Sequence, residues 1–284
     1  MEKYFILGEM DPIEKRQRGR PRAFTPSPDA GLVQSLDRGM RVLETVSGGD
    51  GLSLSEIAAA SGLPAPTVYR MLRTLEAHGM VEFDRTEQLW STGVGAYSMG
   101  AAFLRRRKLG DRARAFLHML GDETGETANL GVAEDDRVVF VTQVETHQAI
   151  RAFFRPGSRS HFHASGIGKA IMAHLPEARV RAIVTTAGLE GFTANTLVSV
   201  DALIADLEHV RARGWAVDDE ERHAGMRCVA AAIFNEHGEP FAGISVSGPG
   251  VRMTPERIAG FGPKIARAAA EITALVGGKM PDGG

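Results

Sequence analysis

One stretch, residues 53–91, restricts the fold of this chain more than any other; it reads SLSEIAAASGLPAPTVYRMLRTLEAHGMVEFDRTEQLWS. Ser53 and Glu56 have the spacing of a capping box, in which each side chain binds a free backbone N–H group at the start of a helix. The spacing therefore predicts a short helix from Ser53 to about Ser61. Gly62 then permits the chain to turn, because glycine tolerates conformations that other residues avoid.

A second helix is predicted over residues 66–78, since proline suits a first turn and Gly79 can end the helix. Its apolar side chains fall on one side, which must face a core. These are Val68, Met71, Leu72 and Leu75. The outer side is small and polar at its N-terminal end and carries arginines, with a tyrosine on its flank. The candidate DNA contacts on it are Pro66, Thr67, Tyr69, Arg70 and Arg73. Such a face suits the major groove of DNA, although an ordinary helical hairpin with a solvated basic face has the same periodicity.

A two-stranded ribbon is predicted directly after the second helix. Residues 81–83 and 89–91 have the pattern of short strands, and residues 84–88 that of the turn between them. Helix, turn, helix and ribbon in this order are typical of a winged helix-turn-helix. The sequence therefore predicts a DNA-binding domain over residues 30–92.

A further helix, residues 34–46, is predicted to open this domain. Its apolar residues form one stripe, which we expect to be buried against the DNA-reading helix. The stripe consists of Leu36, Met40, Leu43 and Val46. Arg38 and Arg41 lie off the stripe, where they are available either to phosphates or to solvent.

Length and composition agree with two globular domains. The chain has 284 residues, of which 43% are hydrophobic and 24% charged. Its net charge is −2, but residues 1–110 carry 15 basic and 13 acidic side chains, whereas the remainder carries 18 and 22. A single cysteine, Cys228, excludes an internal disulfide and a cysteine-cluster zinc site. Because no apolar run approaches the length of a membrane span and no signal peptide is evident, we expect a cytoplasmic protein without membrane contact.

Residues 1–29 are predicted to form a basic, disordered arm. They include KRQRGRPR, with five positive charges and no acid. Its core resembles an AT-hook, an extended element that lays arginines along the narrow minor groove of A/T-rich DNA. The arginines concerned are Arg18, Arg20 and Arg22. A solvated basic tail is the alternative.

Residues 93–110 have the pattern of a linker helix with an apolar face and a basic end, Arg105 to Lys108. A regulator on a two-fold operator needs two DNA-reading helices at a fixed separation. A linker helix that pairs with a second copy would supply that separation, so a homodimer is expected.

Residues 111–277 have the pattern of a mixed α/β domain, so the fold class is α+β. Strands are expected at residues 127–132, 137–144, 149–154, 215–218, 226–234 and 241–246. Helices are expected at residues 112–123, 166–174, 177–185, 200–213 and 255–276. Strands grouped around one sheet with flanking helices are typical of a sensor domain.

The stretch HFHASGIGKAIMA, residues 161–173, places Ser165 to Gly168 at the start of a helix. Free N–H groups and the helix dipole make such a turn attractive to anions. It is not a phosphate-binding P-loop, because His163 stands where that motif has a glycine and Ala170 where it has serine or threonine. A small anionic ligand is therefore expected.

The chain resembles the IclR family of bacterial transcriptional regulators from about Gly31 to Val276. Three motifs carry the resemblance: LPAPTVYRMLRTLEAHG, HASGIGKAIMA and DDEERHAGMRCVAAAIFNEHGEPFAGISVSGP. The resemblance implies a GAF-like effector-binding domain behind the winged helix. It also implies homodimers that often pair into tetramers on double-stranded DNA.

Within the family, the chain is most similar to regulators that sense glyoxylate and control allantoin or glyoxylate metabolism. Their ligand contacts are two backbone amides, an aspartate, a cysteine and two serines. On this chain these positions are Gly166, Ile167, Asp218, Cys228, Ser245 and Ser247. Ser245 and Ser247 are two apart on a predicted strand and so share a face. Because other members bind aromatic acids or short 2-oxo acids, those remain alternatives to glyoxylate.

Catalysis and metal sensing are weaker hypotheses. His161, His163 and His174, together with the acidic run at residues 218–221, could be imagined as a metal site, but their spacing fixes no metal geometry. Cys228 could be imagined as a nucleophile, yet it also suits a small buried hydrophobe. We therefore expect a regulator and not an enzyme, with no cofactor beyond its effector.

Overall fold

The computed structural model describes residues 32–107 and 109–281, with side chains described outside residues 101–107. The predicted arm, residues 1–29, lies outside the described residues. So do its arginines, Arg18, Arg20 and Arg22. The chain divides into two compact units after Tyr97.

The first unit contains three helices followed by an antiparallel ribbon in its described part. The elements are α1 (Gln34–Ser47), α2 (Leu54–Ser61), α3 (Ala65–Ala77), β1 (Val81–Asp84) and β2 (Leu89–Thr92). The predicted capping box is confirmed, because Ser53 Oγ accepts the N–H of Glu56 at 3.3 Å and Glu56 Oε2 accepts that of Ser53 at 2.8 Å. In the ribbon, Phe83 lies opposite Trp90, and their ring centroids are 4.7 Å apart. This is the predicted winged helix-turn-helix.

Helix α1 packs differently from its predicted stripe. Leu43 and Val46 are buried as expected, but Leu36 is 64% exposed and Met40 is 48% exposed. The prediction that Leu36 and Met40 are buried is wrong. The buried side chains of α1 all lie in its C-terminal half, where Val42 completes the packed face. Leu36 and Met40 instead line an open groove beside α3.

The second unit is a sheet with helices on both faces. Helix α4 (Val94–Arg107) runs across the division between the units, and the side chains of its basic end lie outside the described residues. The remaining helices are α5 (Leu109–Thr124), α6 (Gly166–Met172), α7 (Glu177–Ala187), α8 (Val200–Arg213) and α9 (Pro255–Leu275). The strands are β3 (Thr127–Glu134), β4 (Arg137–Val144), β5 (Arg159–His161), β6 (Ala216–Asp219), β7 (Met226–Phe234) and β8 (Pro240–Pro249).

The six strands form one antiparallel sheet in the order β5-β4-β3-β8-β7-β6. Successive side chains along each strand point to opposite faces of the sheet, so they pack into two separate cores. Val229 and Ala231 join the core under α5 and α9, whereas Cys228 and Ala230 join the core under α6, α7 and α8. Within the described residues, no helix has both the length and the apolar character needed to cross a bilayer.

The predicted strand at residues 149–154 does not form. Its backbone groups bond to side chains and not to a neighbouring strand: Thr127 donates to the Ala152 carbonyl at 2.9 Å, and the Phe154 N–H donates to Gln143 at 3.1 Å. A strand that the sequence did not predict, β5, takes the edge of the sheet beside β4.

Helix α6 lies very close to the sheet because glycines remove side chains at the contact. A Cβ atom at Gly243 would lie 2.9 Å from Ile167, and one at Gly166 would lie 2.9 Å from the sulfur of Cys228. These are distances that real Cβ atoms do not adopt. The start of α6 is thereby pressed against β7 and β8.

Candidate functional site

The outer face of α3 offers side chains to solvent. Pro66, Tyr69, Arg70 and Arg73 are exposed and Thr67 is half-buried, while Val68 and Leu72 are fully buried on the other side. Arg73 pairs with Glu76 at 2.9 Å. Arg70 has no acidic group within 4 Å among the described residues, so its guanidinium is available to an external anion.

The second unit encloses a small cavity between the start of α6 and the sheet. All six residues predicted to bind an effector line it: Gly166, Ile167, Asp218, Cys228, Ser245 and Ser247. The cavity volume is about 30 Å³. Since a single water molecule needs roughly 10–15 Å³ on this scale, the space suits a ligand of only a few non-hydrogen atoms.

Strand register explains why residues so far apart in sequence meet here. Asp218 is paired with Cys228, and Cys228 with Ser247, so the three lie in one row across β6, β7 and β8. Ser245 lies two residues before Ser247 and therefore points to the same face. Gly166 lies directly above Cys228.

The start of α6 contributes two backbone donors. The Ser165 hydroxyl accepts the N–H of Gly168 at 3.3 Å, which caps the helix. The first N–H groups of a helix have no acceptor within the helix itself. Those of Gly166 and Ile167 are therefore left to the cavity.

Asn129, on β3, is a site residue that the sequence analysis missed. It is fully buried, and its amide nitrogen donates to Ser245 Oγ at 3.4 Å and to Ser247 Oγ at 3.3 Å. Both hydroxyl oxygens accept from Asn129, so each hydroxyl keeps its own proton to donate. The available signal was an asparagine inside an otherwise apolar strand.

Asp218 is the buried acid of the cavity. Its Oδ1 accepts the backbone N–H of Glu221 at 2.8 Å, and burial raises its pKa to about 6. It has no cation within 4 Å among the described residues. At neutral pH it is therefore largely ionised, at a cost in free energy.

Lys169 connects the cavity helix to its surroundings. Its side chain is 1% exposed, and its ammonium pairs with Glu221 at 2.5 Å and with Asp206 at 2.9 Å. Burial alone would lower the pKa of Lys169, but the two carboxylates raise it, so the ammonium stays charged. Through these two ion pairs, α6 is tied to α8 and to the chain between β6 and β7.

The residues considered for catalysis or metal binding have surroundings that do not suit those roles. Burial raises the pKa of Cys228 to about 12, so it is a neutral thiol at physiological pH and not an activated nucleophile. His163 bonds to the Glu190 carbonyl at 2.9 Å, and burial lowers its pKa. Within residues 32–107 and 109–281, no three metal-ligating side chains are grouped for a metal ion.

A winged helix joined to a ligand-sized cavity in an α/β unit defines a DNA-binding transcriptional regulator. Two family models match the chain: "IclR helix-turn-helix domain" over residues 35–85 and "Bacterial transcriptional regulator IclR C-terminal" over residues 101–274. The chain belongs to the IclR family of bacterial transcriptional regulators and is not an enzyme.

Relatives match along nearly the whole chain. The HTH-type transcriptional regulator BhcR of Paracoccus denitrificans is 46% identical over 92% of this chain and 95% of its own length. The transcriptional repressor IclR of Escherichia coli is 40% identical over 92% and 97%. The crystal structure of Thermotoga maritima IclR, at 30% identity, superposes with a TM-score of 0.71 over 87% of this chain and all of that one.

Proposed function

We propose that this chain is a transcriptional repressor whose operator binding is controlled by a small carboxylate, most simply glyoxylate, held in the cavity of the second unit. The observation that carries the proposal is the cavity itself: it is small, buried and lined by groups that donate hydrogen bonds. The repressor function is supported by the relative named as a repressor.

The donors suit a carboxylate. The N–H groups of Gly166 and Ile167 and the hydroxyls of Ser245 and Ser247 can together satisfy both carboxylate oxygens. Asp218 would accept from a hydroxyl of a hydrated aldehyde. Cys228 supplies a compact neutral contact, because burial keeps its thiol protonated.

The volume favours small acids over aromatic ones. With about 30 Å³, the cavity suits glyoxylate or another short 2-oxo acid such as pyruvate. An aromatic acid adds an entire ring, which would have to displace the packed side chains around Phe140 and Ile167. Interiors resist such displacement.

For the DNA-binding unit, we propose that α3 enters the major groove with Pro66 to Arg73 against the operator. Two copies of the chain would then read the two halves of the operator as a homodimer, and two dimers would associate into a tetramer. The basic arm would add arginines in the neighbouring minor groove.

The decisive test removes both serine hydroxyls. Calorimetric titration of the full-length protein with glyoxylate, pyruvate and 4-hydroxybenzoate is compared with that of the double variant Ser245→Ala, Ser247→Ala. We expect binding of glyoxylate or pyruvate by the wild type and loss of that binding in the variant, because two of the carboxylate donors are gone. Binding to a fragment of the promoter DNA should be unchanged in the absence of ligand.

Ser199→Ala is the matched control, since Ser199 is exposed and its side chain makes no cap hydrogen bond at the start of α8. An unchanged titration in the double variant would contradict the proposed pocket. A response to 4-hydroxybenzoate alone would replace the small acid by an aromatic one.

A further inference from the structure

Arg222 is a cavity residue that neither the motifs nor the resemblance assigned. It belongs to the segment between β6 and β7, residues 220–225, and it lines the cavity beside Asp218. Its guanidinium lies over an aromatic ring, with the central carbon 3.8 Å from the ring centroid of Phe192. This stacking leaves the edges of the guanidinium, where the N–H groups are, available for hydrogen bonds.

One of those edges has no acceptor. The Nη1 atom of Arg222 is fully buried and makes no hydrogen bond with any described residue. No carboxylate lies within 4 Å of the side chain in the part of the chain that the structure describes. A buried, charged donor without a partner is rare and costly, so Nη1 is available to an acceptor from outside the chain.

Arg227 provides the contrast. It also lines the cavity, but it pairs with Asp219 at 2.5 Å and with Glu220 at 3.3 Å. Its charge is therefore neutralised within the chain. Of the two arginines that line the cavity, Arg222 is the one without a carboxylate within 4 Å among the described residues.

The position of Arg222 is fixed by its neighbours. Thr193 donates to the Glu220 carbonyl at 2.7 Å, and Thr196 donates to the Glu221 carbonyl at 2.6 Å. Glu221 is in turn held by Lys169 of α6. Phe192 directly precedes Thr193 in the chain. The same contacts therefore hold in place both the Phe192 ring and the backbone around Arg222.

We propose that Arg222 is a specificity-determining residue whose guanidinium pairs with the carboxylate of the effector, so that the cavity selects small acids over uncharged molecules of the same shape. An entering anion faces the negative charge of the Asp218 carboxyl, and the positive charge of Arg222 opposes that repulsion. Neutral donors such as the serine hydroxyls bind an amide as well as an acid, whereas the positive charge of Arg222 favours the acid over the amide. The inference rests on the proposed function of the cavity.

The test compares pyruvate with pyruvamide, its uncharged isostere, by calorimetric titration of the full-length protein. In the wild type we expect pyruvate to bind more tightly than pyruvamide. Arg222→Gln should weaken pyruvate binding by roughly ten- to a hundredfold, the range for a hydrogen bond to a charged group, and leave pyruvamide binding unchanged. Arg179→Gln, at an exposed position of α7, is the control and should behave as the wild type.

Arg222→Met keeps an apolar stem against Phe192 and removes the charge, so it gives the same comparison should the glutamine variant fail to fold. Equal losses of pyruvate and pyruvamide binding would overturn the inference, because they would reflect altered packing and not the missing charge. Unchanged pyruvate binding would also overturn it.

The serine variant distinguishes a failure of the role of Arg222 from a failure of the proposed function of the cavity. The double variant Ser245→Ala, Ser247→Ala could lose pyruvate binding while the Arg222 variants bind pyruvate normally. That result would contradict the role of Arg222 and leave the proposed function of the cavity standing. If the wild type binds neither pyruvate nor glyoxylate, or if the serine variant binds like the wild type, the proposed function fails and the role of Arg222 fails with it.

Discussion

Asp218 is a side chain that the fold accommodates at a cost. It is buried, ionised at neutral pH and without a cation within 4 Å among the described residues, and burial raises its pKa to about 6. In the unfolded chain the same carboxyl titrates near the ordinary aspartate value. The folded state therefore binds a proton more tightly than the unfolded state between these two pKa values. A destabilising acid inside a ligand-sized cavity is typical of a functional site.

We predict that Asp218→Asn stabilises the protein without ligand. Since the pKa is raised on folding, the carboxyl's favourable contribution is present at low pH and is lost as pH rises through about 6. The gain from the variant should thus be largest above that pH, on the order of 2–3 kcal/mol, and should shrink as pH falls towards 4. Melting temperatures at about pH 7.5 and about pH 4.5 measure the difference.

Glu208→Gln is the control for this experiment, because Glu208 is an exposed carboxylate on α8. It should leave the melting temperature nearly unchanged at both pH values. A wild type that is more stable than Asp218→Asn at pH 7.5 would show that the ionised carboxylate makes a favourable interaction in the fold.

Asn129 and Arg222 were not predicted from the sequence, because their places at the cavity depend on contacts between distant parts of the chain. Asn129 lies 116 residues before Ser245, and nothing local to either strand indicates that β3 and β8 are neighbours. Arg222 follows a run of acids, and such a run is typical of a solvated turn. The six residues carried over from the family do line one cavity, because a family pattern preserves the strand register that a single sequence does not reveal.

At the scale of elements, the sequence predicted a helix correctly where its start and end depend on residues close by in the chain. The capping box, the proline and the glycine that delimit α2 and α3 act within a few residues, and both helices begin and end within one or two residues of the prediction. The edge of the sheet is different. Residues 149–154 have strand-forming side chains, but a strand also needs a neighbour with free backbone groups. The free edge of β4 pairs instead with β5 and the turn before it.

Helix α3, the proposed DNA-reading helix, permits a test with a matched pair of arginines. Arg70 and Arg73 lie on the same exposed face, but Arg73 is paired with Glu76 and Arg70 is without an acidic partner among the described residues. We predict that Arg70→Ala weakens specific operator binding by about 1–3 kcal/mol, the range for one base contact, and weakens non-specific binding less.

Fluorescence anisotropy with the operator and with a scrambled duplex measures both affinities. Arg73→Ala should have the smaller effect on specificity, because its guanidinium is already engaged. Equal losses on the two duplexes for Arg70→Ala would refute base reading and leave Arg70 as a phosphate contact.

At the scale of the whole molecule, α3, the proposed DNA-reading helix, and the cavity lie in different compact units. A ligand in one unit controls DNA binding by the other only if it has different affinities for two states of the protein. Lys169 is placed to contribute to such a difference inside the second unit, since its ion pairs tie α6 to α8 and to the segment that carries Arg222. By linkage, the factor by which an effector changes operator affinity must equal the factor by which the operator changes the affinity for that effector.

The last prediction concerns the arm, residues 1–29, together with the winged helix. If its arginines lie in a minor groove beside the operator, deletion of the arm should weaken binding most where an A/T tract flanks the site, because the narrow groove there has the strongest negative potential. Replacing Arg18, Arg20 and Arg22 by glutamine should reproduce the deletion. The dependence of affinity on salt should also flatten, by roughly one in the logarithmic slope for each phosphate that the arm no longer neutralises. The measurement is anisotropy with duplexes whose flanks are either A/T or G/C, over a range of salt concentrations. Should both duplexes lose the same affinity, the arm would be a general electrostatic contact; should neither lose any, it would have no part in DNA binding.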